Sequence, residues 1–382
     1  MSKDSLKVLT IVGTRPDTIK MAPVLDELKS RNNIQSILCG SGQHQEMLQQ
    51  ALDIFGLIPD IDLKIMTQNQ KLSSLNSKLI TAISETVVEI TPDIVVVHGD
   101  TSTAFCGALA AFYNQIPVVH VEAGLRTHDV LEPFPEEFNR QAIARIADLN
   151  LAPTKIASQN LEDEGIKKER IITTGNTIID SLNLMINRID KESKIKNKIS
   201  ESFKELFDFD YTNSKFILVT MHRRESIGYG ITSVCEAISI IAKKFPEVQI
   251  IFPVHLNPAV SLNVHTILDD VSNVYLIPPL PYDEFVGLLS KSLFIITDSG
   301  GIQEEAVSLG KQALVTRNHT ERNEGVENGL LKIVATDSKK IAEIATEIIL
   351  NPRKDNIPIS NPFGTVGISK NIVDQILLRY LT

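Results

Sequence analysis

Short runs of aliphatic and β-branched residues alternate with longer stretches whose apolar positions recur at i, i+3 and i+4. In the first half the runs are Lys7–Val12, Ile34–Cys39, Ile94–His98, Pro117–Val121, Leu149–Ala152 and Ile171–Thr174. In the second half they are Phe216–Thr220, Val248–Pro253, Val274–Ile277, Leu293–Thr297, Gln312–Thr316 and Leu331–Val334. Segments such as TAFCGALAAFY and IQEEAVSLG carry the helical period between them. Continuous apolar strands separated by helices predict parallel sheets covered on both faces. A lysine-rich interval, NRIDKESKIKNKISESFKELFDFDYTNSK, divides the two sets and predicts an exposed helix and a loop. The expected fold class is α/β: two doubly wound, Rossmann-like domains facing across a cleft. The first spans residues 1–182 and the second 183–365, with a terminal helix over 366–382 expected to join the first domain.

Composition narrows the partners. A chain of 382 residues exceeds one ordinary core, which agrees with two domains. Its formal net charge of -9 argues against a broad basic footprint for nucleic acid. Cys39, Cys106 and Cys235 are scattered, in neither a disulfide framework nor a zinc-site spacing, and suit a reducing compartment. No run approaches the roughly 20 apolar residues of a membrane span. The opening MSKDSLKVLTIVG does not read as a signal peptide. The expectation is a soluble cytoplasmic protein with neither membrane nor nucleic-acid partner.

In doubly wound sheets ligands bind beyond the carboxyl ends of the strands, so the residues just after each strand carry the chemistry. After Leu293–Thr297 comes DSGGIQEEA. Ser299, Gly300 and Gly301 form a turn whose backbone can approach a phosphate, and the helix start offers free amide donors. Glu305, a turn further on, either accepts from both hydroxyls of a ribose or, like Glu304, merely complements the helix dipole. For Glu304 the dipole reading is preferred. The first strand of each half leads into positive charge: Arg15 and Lys20 in GTRPDTIK, and His222, Arg223 and Arg224 in MHRRES. Pro23 predicts that the helix after GTRP is kinked or starts late. Carboxylates follow two other strands, Asp100 after Ile94–His98 and Glu122 after Pro117–Val121. Pro135 fits the first position of a helix carrying Glu136, Glu137 and Arg140. Carboxylates crowded in a partly buried site suit acid–base work. Each also has a plainer reading: Asp100 as a cap through Thr101–Thr103, Glu122 as partner of Arg126, Glu136 as a helix-start acid. His98 and His120 end apolar strands and read as satisfied core residues or as supports behind the site rather than as ligands, while His255 follows a strand and is placed to reach the cleft. His222 and Glu225 have a spacing open to a metal, but neighbouring arginines oppose one, so no metal site is expected. There is no Walker A loop and no dinucleotide fingerprint.

The motifs VGTRPDTIKMAPV, GSGQHQEML, VHGDTSTAF, HVEAGLRT, PFPEEFNRQ, TGNTIIDS, MHRRES, PVHLNP, TDSGGIQEEA and TERNEGVENG stand in order from about Val8 to about Gly329. Together they resemble those of the non-hydrolysing UDP-N-acetylglucosamine 2-epimerases. The resemblance implies two Rossmann-like domains in the GT-B arrangement, a homodimer, and chemistry without cofactor or metal. It implies that UDP-GlcNAc loses UDP as the C2 proton leaves, and that UDP adds back to give UDP-ManNAc for cell-surface polysaccharide. By motif match the catalytic positions fall on Asp100, Glu122, Glu136 and His222. The substrate and UDP positions fall on Arg15, Lys20, Phe285, Ser299, Gly300, Gly301, Glu305 and Arg322. A second, activating UDP-GlcNAc site matches Gln43, His44, Arg223 and His255. Departures are Asp17 where the family usually has Glu, Met221 for Ala, Ser226 for Asn, and Asn69 where an arginine is typical. The last removes a charge-assisted phosphate contact and predicts weak or absent activation. Met221 and Ser226, flanking His222, raise a modified sugar as an alternative. A hydrolysing epimerase, a GT-B glycosyltransferase and a sensor without turnover are the other readings. The carboxylate trio disfavours the sensor, and the GTRP, HGDT and PEEFNR motifs disfavour the transferase.

Overall fold

The computed structural model describes residues 4–42, 45–65, 70–221, 228–320, 322–353 and 361–381. The chain divides into two compact units, Met1–Asn183 with Phe363–Thr382, and Leu184–Pro362.

The first unit holds seven strands: β1 (Leu6–Val12), β2 (Ile34–Gly40), β3 (Ile61–Asp62), β4 (Ile94–His98), β5 (Val118–Val121), β6 (Leu149–Ala152) and β7 (Ile171–Thr173). Among the described residues they form one parallel sheet in the order β3-β2-β1-β4-β5-β6-β7. The order reverses between β1 and β4, which makes their carboxyl ends the crevice of this unit. Its helices are α1 (Arg15–Ser30), α2 (Gln45–Phe55), α3 (Leu72–Ile90), α4 (Ser102–Tyr113), α5 (Glu136–Ile146), α6 (Lys155–Asp163) and the start of α7 (Ile178–Lys191). The strands are apolar throughout because both faces are covered: Val95 and Val97 point into one helical layer and Val96 into the other, all fully buried. Gly107 lets α4 lie close on the sheet, since a Cβ there would stand 3.1 Å from Ile11 and 3.3 Å from Val97.

Helix α1 removes one of the two readings of Pro23: the helix does not start late. It runs unbroken from Arg15, with Thr14 capping the amide of Asp17 and Lys20 on its second turn. Pro23 has no N–H for the carbonyl of Ile19. The hydroxyl of Ser181, on α7, donates to that carbonyl instead at 2.6 Å.

The second unit has β8 (Phe216–Thr220), β9 (Gln249–Pro253), β10 (Val274–Ile277), β11 (Phe294–Thr297), β12 (Gln312–Val315) and β13 (Leu331–Ile333). They form a parallel sheet in the order β10-β9-β8-β11-β12-β13, reversing between β8 and β11. Its helices are α8 (Ser193–Leu206), α9 (Tyr229–Lys244), α10 (Pro258–Leu268), α11 (Tyr282–Lys291), α12 (Gly300–Ser308), α13 (Asn323–Glu327) and α14 (Ser338–Leu350). The lysine-rich interval is less exposed than its charge predicts: α8 buries Ile199 and Phe203, each burial contributing about 2 kcal/mol.

Helix α15 (Ile368–Tyr380) belongs to the first unit. Asp180 accepts from the amides of Gly367 at 2.8 Å and Ser369 at 2.6 Å, capping its start. Arg379 and Tyr380 both reach Asp148 at its far end. Burial dominates in pushing the Tyr380 hydroxyl far above its ordinary range, and the Asp148 carboxylate adds to it. Among the described residues no helix is long and apolar enough to cross a membrane, and no group of three or more His, Cys, Asp or Glu has metal-site geometry.

Candidate functional site

The crevice of the first unit gathers residues from α1 and from the turns after β4 and β5. Glu122 follows β5 directly. Its backbone is left-handed, φ +64, a conformation a residue with a side chain adopts at a cost of about 1 kcal/mol or more. Two ladder bonds hold it there: Gly99 N–H donates to the Val121 carbonyl and Ala123 N–H to that of Leu151, at 2.9 and 3.0 Å. Gly124 comes next at φ +90, with no room for a side chain, because a Cβ would lie 2.2 Å from the Ala157 carbonyl oxygen. This turn aims the carboxylate of Glu122 at α1. There Lys20 donates to its Oε2, and Asn176 donates to the same oxygen at 3.1 Å. Lys20 and Glu122 are both almost buried.

The plainer reading of Glu122, as partner of Arg126, does not hold. Arg126 instead forms a two-pronged pair with Glu164, at 2.6 and 2.8 Å. Asp100 does not cap α4 either; Thr101 does, accepting from Ala104 N–H. Asp100 meets Arg140 of α5 through Nε at 2.9 Å, and Asn139 donates to its backbone carbonyl at 2.9 Å. Asp100 and Glu122 are thus interleaved with cations rather than crowded together. Glu136 opens α5 half-buried, with Pro135 one residue earlier in the cap position. Its neighbour Glu137 is the more deeply placed: fully buried, it accepts from Thr127 N–H at 3.1 Å and Gln141 at 2.8 Å, and lies 3.3 Å from Arg140. The sequence reading missed that role. The PEE pair was its one signal, with nothing local to say which carboxylate turned inward.

His98 and His120 are both buried, as expected, but differ in their partners. His120 is wholly buried and its Nε2–H donates to the Gly99 carbonyl at 2.7 Å, leaving Nδ1 without a partner. Burial, helped by nearby Arg126 and His98, pulls its pKa down to about 4 against the opposing pull of that hydrogen bond. His98 is 3% exposed and neither ring nitrogen has a hydrogen-bond partner. Arg15, first residue of α1, is half-buried beside the buried Asp17. Burial drives the thiols of Cys39, Cys106 and Cys235 up to about 12, so none serves as a nucleophile.

In the second unit the crevice lies at β8 and β11. His222, Arg223 and Ser226, which follow β8, lie outside the described residues, as do Gln43, His44 and Asn69. Met221 is 1% exposed and packs in the apolar core of this unit. After β11, Ser299 stands at the N-cap position of α12, with no capping hydrogen bond from its side chain. At Gly300 a Cβ would stand 2.8 to 3.0 Å from the guanidinium of Arg322, so that cation lies against the helix start. Gly300 and Gly301 are the first residues of α12 rather than part of a turn ahead of it, and at Gly301 a Cβ would meet nothing within 4 Å, leaving this first helical turn open. Glu304 is not a mere dipole complement: its Oε1 takes Arg322 at 2.9 Å through both Nε and Nη2, and it is 1% exposed. Glu305 is buried one position on, and Phe285 is buried on α11. His255 is exposed after β9, its Nδ1 accepting from Asn257 N–H at 3.1 Å. An open glycine turn, amide donors and a braced arginine together suit a phosphate.

The family model described as UDP-N-acetylglucosamine 2-epimerase matches residues 26–377. The UDP-N-acetylglucosamine 2-epimerase of Campylobacter jejuni is 48% identical over 97% of this chain and 97% of its own. That of Bacillus subtilis is 45% identical over 98% and 96%. A crystal structure of UDP-GlcNAc 2-epimerase from Neisseria meningitidis bound to UDP-GlcNAc superposes with a TM-score of 0.92, at 44% identity, over 98% of this chain and 100% of that one. The chain therefore belongs to the UDP-N-acetylglucosamine 2-epimerase family.

Proposed function

We propose that the protein interconverts UDP-GlcNAc and UDP-ManNAc by eliminating and re-adding UDP. A carboxylate of the first unit takes the C2 proton. The C2–H electrons form the C1–C2 double bond of 2-acetamidoglucal, and the C1–O pair leaves with UDP. The diphosphate oxygen then adds back to C1 as C2 is protonated on the opposite face. C2–H is barely acidic until positive charge grows at C1, so stabilising the departing diphosphate drives the proton transfer. Asp100, Glu122 and Glu136 are the acid–base candidates, with His222 by motif match. Lys20 balances the charge of Glu122 in its buried setting. In the second unit, Ser299, Gly300, Gly301 and Arg322 suit the diphosphate, Glu305 the ribose and Phe285 the uracil. Arg15 adds positive charge from the first unit. In line with the family resemblance, we take the working form to be a cytoplasmic homodimer that supplies ManNAc-type sugars for surface polysaccharide.

The observation that carries this reading is Glu122 itself: a strained, nearly buried carboxylate with Lys20 and Asn176 fixed on one oxygen. The test is incubation with UDP-GlcNAc in D2O followed by NMR. UDP-ManNAc carrying deuterium at C2 is expected. Free ManNAc as the main product would establish the hydrolysing reaction instead, and absence of C2 exchange would refute both.

A further inference from the structure

His98 closes β4, where its register partner is Val121, one residue before Glu122. Its ring is buried between two carboxylates. Nδ1 lies 3.9 Å from Asp17 Oδ1 and Nε2 lies 3.9 Å from Glu122 Oε2. Neither separation is a hydrogen bond, and neither nitrogen has another partner. A buried imidazole with two unmet nitrogens is costly for the fold, and an apolar residue would serve a purely structural role better. The other charged groups that face this point are Lys20 on α1, against the same Glu122 oxygen, and His120 on β5, which feels the charge of His98. Asp17 is itself anchored, accepting from the Thr101 hydroxyl at 3.2 Å.

We propose that His98 is a positioning residue for Glu122: in the working enzyme its ring closes onto Oε2 and shares a proton across Asp17, His98 and Glu122. The inference rests on Glu122 being a proton-transfer group, as assigned above. Only the doubly protonated ring has an N–H for each carboxylate; the neutral ring has one and must turn a lone pair toward the other. Gain or loss of a proton at Glu122 therefore changes which ring nitrogen is protonated. A ring that moves about 1 Å tightens onto either side, so the contact follows the charge of Glu122 through the reaction. His98 does not touch the pyranose in this scheme; it sets the orientation and charge of the group that does.

Two measurements on the full-length protein test this separately. Ring ¹⁵N shifts, with the His98 signal assigned through His98→Gln, report which nitrogens carry protons. Glu122→Gln is expected to move the His98 signals. Asp17→Glu, one methylene or about 1.5 Å longer, brings a carboxylate closer to Nδ1 and is expected to move the signal of that nitrogen. Unchanged signals in both variants overturn the contact, whatever the enzyme turns over. In kinetics, His98→Gln is expected to lower kcat roughly 10–100-fold, as loss of an orienting partner does, with KM for UDP-GlcNAc unchanged and the pH profile of kcat altered. Wild-type kcat and pH profile in a folded His98→Gln protein overturn the role. Absence of C2 deuteration in the wild type would sink the epimerase reading but leave the ring measurement to judge the contact.

Discussion

Acidifying the protein from pH 7 to pH 4 should cost the first unit a defined share of its stability through His120. The pKa of this side chain falls from its ordinary 6.5 to about 4, chiefly through burial. Between those values the unfolded chain binds a proton that the folded one refuses. Stability contributed by the neutral ring is therefore complete above about pH 6.5 and is lost progressively as the pH falls toward 4. At about 1.4 kcal/mol per unit, the loss is about 3 kcal/mol, roughly a hundredfold in the opening equilibrium. The physical cause is local: Nε2–H already donates to Gly99, and a second proton would sit on Nδ1, which faces no acceptor. His120→Gln keeps an amide donor and removes the titration. The two units need not unfold together, so the assay is hydrogen exchange of peptides spanning β4 and β5, corrected for intrinsic rates. The protection of wild type relative to His120→Gln should shrink by about a hundredfold across the window, whatever the absolute offset at pH 7. A difference that stays constant from pH 7 to pH 4 would refute the reasoning.

Three further outcomes follow from the geometry. Glu304→Gln strips a buried arginine of its charged partner; about 3 kcal/mol of stability and about tenfold in UDP affinity should be lost, read by thermal melting and calorimetry, and normal values for both would contradict the bracing of Arg322. Ser181→Ala leaves the buried Ile19 carbonyl without the donor that Pro23 cannot supply, costing about 1–3 kcal/mol; adding Pro23→Ala restores a backbone amide, so chemical denaturation should find the double variant more stable than Ser181→Ala alone. Gly124→Ala combines φ +90 with a 2.2 Å contact to the Ala157 carbonyl oxygen and should lose well over ~3 kcal/mol, whereas Gly99→Ala, whose nearest atom is a side-chain oxygen at 3.8 Å, should lose only about 1–2 kcal/mol; equal melting temperatures for the two would overturn this.

Legibility in the sequence followed from how local each cause was. The twelve expected strands all form because continuous apolar runs need no distant information to be recognised. β3 escaped notice because it is two residues long and exists through its pairing with Cys39 and Gly40. The late start read from Pro23 failed because the donor that serves the Ile19 carbonyl lies 162 residues beyond Ile19, on Ser181. Arg126 misled in the same way. Spacing offers Glu122 as its partner, but the left-handed backbone at Glu122 turns that carboxylate elsewhere, and Arg126 finds Glu164. Glu304 looked like a helix-start acid because Arg322 comes 18 residues later, after another strand.

The two units share a strand order but not a chemistry, and this difference is where function enters. In each, the first strand is central and the chain reverses beside it, so the residues after two adjacent strands must meet. In the first unit that rule brings Lys20 onto Glu122 and sets His98 between Asp17 and Glu122, 3.9 Å from each, with Asp100 paired to Arg140 after the neighbouring strand. In the second it brings an open glycine turn to a braced arginine, which can hold an anion but has little to exchange. A doubly wound sheet alone dictates neither outcome. The left-handed turn at Glu122 decides the first, because it points a carboxylate at an ammonium and an imidazole that chain order keeps far apart. A side chain pointed so, at the expense of backbone strain, is what the proposed proton transfer at Glu122 requires and what the fold alone does not.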